Sequence, residues 1–225
     1  SSANSNTSRA RRALAGLMPM VWTFGFDDGM GVTYGLMELD GDLRKIEYGD
    51  RTLDRNGAGG AFMPGDLNLG RRLKVDHIPT TVHWGGPKNR PLPDVLKGRG
   101  MVLVSDRFKN SVERLEPEIH QFFPIGAKFK KDGMHAADMY FLNICNRLDS
   151  VDRKYTTWPL RGSSFEPQDG KELVFNLDQI GNHHLWHDKH IYFGWMISDA
   201  LHDAMIDAGI TGLVFHKDKT NKEFE

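Results

Sequence analysis

Runs of alternating and continuous apolar residues divide the chain into short segments. MVWTFGF (Met20–Phe26) is rich in β-formers and predicts a strand. DDGMG follows as a turn, Val32–Leu39 as a second strand and Leu43–Tyr48 as a weaker third, with the Asp-Gly pair at 40–41 as a hairpin turn. This predicts a meander near the N-terminus. Residues 56–66, NGAGGAFMPGD, are glycine-rich but match neither phosphate-loop pattern, so a flexible loop is expected. A short strand is expected within Leu73–His83.

WGGPKNRPLPDVLKGRG follows, with three prolines and four glycines. Proline removes a ladder donor, which excludes a long helix or a central strand and predicts a surface connection. Met101–Val104 then predicts a buried strand. Ser105 is placed to cap a helix whose Phe108, Val112 and Leu115 share one face. Ile119–Phe129 and Met139–Asn146 predict two strands joined through KKDGMH, with further strands at Leu173–Leu177 and Ile191–Ile197. A second helix is expected from Ser198-Asp199, with Leu201, Met205 and Ala208 apolar and Gly209 stopping it. Leu213–His216 predicts the last strand.

The two helical units, VSDRFKNSVERL and ISDALHDAMIDA, align without a gap. An internal duplication explains this; so does a good helix start used twice. Without a βαβ rhythm, the expected class is α+β: a mixed, mostly antiparallel sheet carrying two similar Ser-Asp-capped helices. The expected organisation is an N-terminal arm (1–19), a β-rich region (20–90), an α+β domain (91–217) and a polar tail (218–225).

Charge alters this picture only locally. The net charge of -1 gives no global attraction to nucleic acid or membrane. Residues 26–54 hold eight acids against three bases, and residues 71–131 thirteen bases against six acids. No apolar run approaches the roughly 18 residues that span a bilayer. Cys145, the single cysteine, excludes an internal disulfide and sits in an apolar run, where a buried thiol is expected. The polar, then basic N-terminus lacks a secretory signal's apolar stretch, so a cytoplasmic location is expected.

Candidate chemistry centres on GNHHLWHDKH (residues 181–190), with four of the ten histidines. There is no G-x-S-x-G, H-E-x-x-H or C-x-x-C motif. On a helix His183, His184 and His187 would share a face and, with Asp188, could hold a metal. The Gly-Asn pair and the aromatic content instead predict a turn and a strand. There His184 and Trp186 point one way and His183, Leu185 and His187 the other.

PLPDVLKGRGMVLVSDRFKNSVERLEPEIHQFFPI, YFLNICNRLDSVD and IGNHHLWHDKHIYFGWMISDALHDAMIDAGITGLVFHK together resemble a family of bacterial polymorphic-toxin immunity proteins. The similar elements include Pro93-Asp94, Val104-Ser105-Asp106, His120 to Phe123, Asn146 to Asp149, His184 to Trp186 and Ser198-Asp199. The resemblance spans about residues 91–217. His187-Asp188-Lys189 departs from it where a basic residue is expected soon after the tryptophan. The resemblance implies a protein that neutralises a cognate toxin by binding, with no catalytic residues and no cofactor. The expected target is a cytoplasm-acting nuclease, and no direct contact with nucleic acid or membrane is expected. The partner-facing candidates are Asp27, Asp28, His184, Trp186, Asp199, Asp203 and Asp207, the last three repeating every four residues on one helix. Homo-oligomerisation stays open. The other reading is a metal-dependent hydrolase using His183, His184, His187 and Asp188.

Overall fold

The computed structural model describes residues 19–27, 37–50, 67, 69–89, 91–98, 101–192 and 194–225. Residues 1–18 of the expected N-terminal arm, the glycine-rich loop at 56–66 and Asp28 lie outside the described residues.

Fourteen strands are described: β1 (Val21–Phe26), β2 (Met37–Leu39), β3 (Thr81–Trp84), β4 (Val95–Gly98), β5 (Met101–Val104), β6 (Gln121–Phe129), β7 (His135–Asn143), β8 (Arg147–Leu148), β9 (Leu160–Arg161), β10 (Ser164–Phe165), β11 (Val174–Phe175), β12 (Leu185–Asp188), β13 (Trp195–Ser198) and β14 (Leu213–Thr220). The α-helices are α1 (Asp106–Glu113), α2 (Leu177–Ile180) and α3 (Asp199–Asp207). One six-stranded sheet has the order β2-β3-β6-β7-β5-β4, the other β11-β14-β1-β13-β12-β8, and β9 and β10 form a small hairpin. Pairing is antiparallel except at β3–β6, β11–β14 and β12–β8. The expected α+β class is observed, with the strands divided between two large sheets rather than gathered in one.

The continuous apolar run MVLV follows from burial of β5 on both faces. Val102 and Val104 join one apolar cluster, Met101 and Leu103 another. Likewise β13 gives Trp195 and Ile197 to the first cluster and Met196 to a third. Phe108 and Val112 of α1 enter the first cluster with Leu201 and Met205 of α3. Both helices therefore share the core that joins the two sheets.

The two helical units occupy equivalent places. In each sheet a helix links two strands that lie either side of a third: β5–α1–β6 flank β7, and β13–α3–β14 flank β1. The caps match: Ser105 Oγ accepts the Phe108 amide and Ser198 Oγ the Leu201 amide, in nearly identical backbone conformations. β4 runs antiparallel beside β5 as β12 does beside β13. The chain leaving each helix bonds to the other unit: the Val95 amide donates to Thr211 O, and the Leu185 amide donates to Glu116 Oε2. The gapless alignment thus corresponds to a repeated fold whose halves clasp each other.

Several local expectations change. Leu43–Tyr48 is not a strand: Leu43–Lys45 forms a 3-10 turn with the Asp42 side chain accepting the Arg44 amide, and Tyr48 joins Leu73 through an isolated bridge. The meander is also absent, because β1 pairs with β13 and β14 whereas β2 pairs with β3. The proline-rich connection supplies β4, which lies at a sheet edge. No described helix is long and apolar enough to cross a membrane.

Candidate functional site

The helix α2 precedes the histidine segment and closes at Gly181, whose φ of +60° suits glycine. β12 then buries Leu185 toward the shared core and Trp186 on its opposite face. Trp186 is fully buried, with its Nε1–H donating to Ser150 Oγ at 3.0 Å, so it offers no surface to a partner in this conformation. His184 is half-buried, its Nδ1 lying 2.7 Å from Ser198 Oγ and its carbonyl accepting the Ser198 amide. It ties β12 to the cap of α3.

The metal-site candidates go to separate partners. His183 Nδ1 faces Glu116 at 3.5 Å, His184 faces Ser198, and the His187 ring meets Trp195 edge-on. Asp188 accepts from Ser150 N and Oγ and from the His190 amide. Strand alternation separates His187 from Asp188. Among the described residues no group of three or more His, Cys, Asp or Glu side chains is placed to hold a metal. Burial, with positive charge from Arg147, pushes His187 down to about 3, and its buried Nε2 has no hydrogen-bond partner. Burial also raises the Asp188 carboxyl, despite its bonds from Ser150 and His190.

The strongest polar junction lies just after α1. Buried Glu116 accepts from the His184 amide (2.9 Å) and Asn146 Nδ2 (2.9 Å) at one oxygen, and from the Leu185 amide (3.0 Å) and His120 Nε2 (2.8 Å) at the other. His120 Nδ1 in turn accepts the Cys145 amide, which fixes the Nε2–H tautomer. Burial alone would raise the Glu116 carboxyl; the hydrogen bonds from His120, His184 and Leu185 outweigh it and hold the group below its ordinary range. Asp94 plays the corresponding part at β4, accepting from Ser105 Oγ, the Thr211 amide and hydroxyl, and Arg107. Burial is again overcome, and its carboxyl is held low. In sequence both acids resemble surface charges, and only their position just outside a helix or strand hinted at a cap.

The aspartate candidates divide. Asp199 is held by the fold, accepting the Met20 amide (2.8 Å) and Trp22 Nε1 (2.7 Å). Asp27 donates its amide to Gly212 O at the far end of β1. Asp203 and Asp207 are exposed on α3 beside Ile206, an apolar side chain 55% exposed. Asp203 lies 3.2 Å from the His202 ring.

The described acids and histidines thus mainly join segments of one scaffold, a duplicated α+β unit with an exposed acidic helix. A model of the immunity protein family (Imm11) matches residues 50–220, about three quarters of the chain. The chain belongs to this family. The match begins well before Pro91, so the family pattern also takes in Arg71 to Leu73 and β3. No curated protein matches the chain.

Proposed function

We propose that this protein neutralises a cognate toxin by direct, stoichiometric binding, and that the toxin is a nuclease acting in the cytoplasm. Family membership carries this reading. The exposed surface of α3 supports it: Asp203 and Asp207 flank Ile206, giving an apolar contact inside an acidic rim. A nuclease is basic where it holds phosphates. An acidic surface speeds its capture and opposes its substrate, while a central apolar side chain supplies desolvated contact area.

The test is capture from the native host at near-physiological salt, with the bound protein identified by mass spectrometry. A single nuclease-type toxin in 1:1 amount is the expected result. Asp203→Lys with Asp207→Lys should then weaken the purified complex at least tenfold, chiefly at low salt, and shift stability by no more than about 0.5 kcal/mol. Capture of no toxin refutes the function; unchanged affinity in the double variant refutes the face.

A further inference from the structure

A cleft of about 620 Å³ opens where the two sheets meet, lined by Arg71, Arg72, Arg147 and Lys189, with Cys145 and with Asp50 as its one acid among the described lining residues. We propose that this cleft receives an acidic segment of the bound toxin, its Asp or Glu carboxylates seated among the cations. This deepens the immunity reading and rests on it: recognition would then use a basic socket as well as the acidic helix.

The cleft is a built feature. The chain at 69–73 crosses the connection from β7 to β8 and is pinned there. Asn143 Nδ2 donates to Arg71 O at 2.8 Å. The Gln121 amide bonds both Leu73 N (2.7 Å) and Leu73 O (3.0 Å). Arg147 Nη1 donates to Leu69 O at 3.1 Å. Gly70, at φ +71°, lies so close to β8 that a Cβ there would stand 2.7 Å from Asn146 O. No larger residue allows this approach.

Its positive charge is only partly answered. Arg71 pairs with Asp50 at 2.7 Å. Arg72 donates Nη1 to Ile119 O, a neutral acceptor, at 3.0 Å. Neither Arg72 nor Lys189 has a carboxylate partner among the described residues. Burial pushes the Cys145 thiol up to about 11, so it adds no negative charge at neutral pH. Guanidinium groups match carboxylates through paired N–H donors, and a lysine adds a mobile point charge.

The size and lining select the occupant. The cleft exceeds the space of a single small oxyanion. Among the described lining residues there is no aromatic ring to stack nucleic-acid bases. Arg72 and Lys189, which have no carboxylate partner among the described residues, are left to the carboxylates of an incoming acidic segment.

The test uses the full chain and an octaglutamate peptide in isothermal titration at low salt. One peptide should bind per chain, with at least a tenfold loss in Arg72→Glu/Lys189→Glu and undiminished binding in Asp203→Lys/Asp207→Lys. Thermal melts verify folding, and Arg72→Gln/Lys189→Gln replaces the reversal pair if that pair does not fold. Absence of binding, equal binding by the cleft variants, or tighter binding of octathymidylate at the same residues overturns the proposal. So does displacement of the peptide by an equal concentration of inorganic phosphate. The toxin captured above gives the second arm, in which the cleft variants should weaken the complex at least tenfold. A captured toxin whose affinity ignores the cleft overturns this inference alone, whereas capture of no toxin overturns the immunity reading with it.

Discussion

Glu116→Gln should destabilise the protein by about 2–4 kcal/mol at pH 7, although it changes the side chain's shape very little. Each Glu116 oxygen accepts two donors, one of them a backbone amide, of His184 or of Leu185, where the chain enters β12. Glutamine presents one oxygen, so its NH2 must face either the His184 amide and Asn146 or the Leu185 amide and His120. Turning the Asn146 amide to meet it would break that side chain's 2.9 Å bond to Leu185 O. Either choice leaves two buried groups without acceptors, at about 1–3 kcal/mol each before relaxation. Urea denaturation followed by fluorescence of the buried Trp186 and Trp195 measures the loss. The melting temperature should fall by roughly 4–16 °C, at about 2–4 °C per kcal/mol for a chain of this size.

The pH dependence gives an independent check. The folded Glu116 carboxyl lies below its ordinary value, so its contribution is complete above the unfolded carboxyl's pKa of about 4.3 and is lost as pH falls through the folded value. The stability gap between wild type and Glu116→Gln should therefore narrow only below about pH 4.3. A variant within 0.5 kcal/mol of wild type at pH 7, or a gap that closes near neutrality, refutes the assignment of Glu116 as the buried link between the repeats.

Two further substitutions probe the same scaffold. Gly212→Ala places a Cβ 2.4 Å from Val95 O at φ +90°, and should cost at least about 2 kcal/mol; Gly133→Ala, also at positive φ but with open space around it, should cost about 1 kcal/mol, as thermal melts would show. His187→Leu should lie within about 1 kcal/mol of wild type at pH 7, because the lost imidazole has a buried nitrogen with no partner. Since the folded His187 pKa of about 3 lies below the unfolded 6.5, wild type should lose stability relative to this variant at about 1.4 kcal/mol per pH unit across that interval, read from denaturation midpoints.

Elements whose partners lie nearby in sequence were legible. MVLV announced a strand buried on both faces, and the two serines announced helix starts because a cap is satisfied within three residues. The alternation in His183–His187 also gave the facing of Leu185 and Trp186 correctly. Pairing partners were not legible: β1 carries no local mark of the strands near residues 195 and 213 that enclose it. Leu43–Tyr48 was misread because Ile46 and Tyr48 are buried singly from an irregular segment, which mimics strand alternation. Glu116 and Asp94 escaped notice because a carboxylate's burial depends on amides far along the chain, at 184–185 and 211.

The position of β1 also bears on when the core can form. The ladder partners of this strand, β13 and β14, lie far along the chain and are synthesised well after it. At ~5–20 residues per second, β13 follows β1 by roughly 10–35 s. Until then Phe24 has neither neighbouring strand, and the core shared by the two helices is incomplete. The core around Phe24 therefore closes only after β13 and β14 have been made, so β1 waits for partners far along the chain rather than folding with its neighbours in sequence.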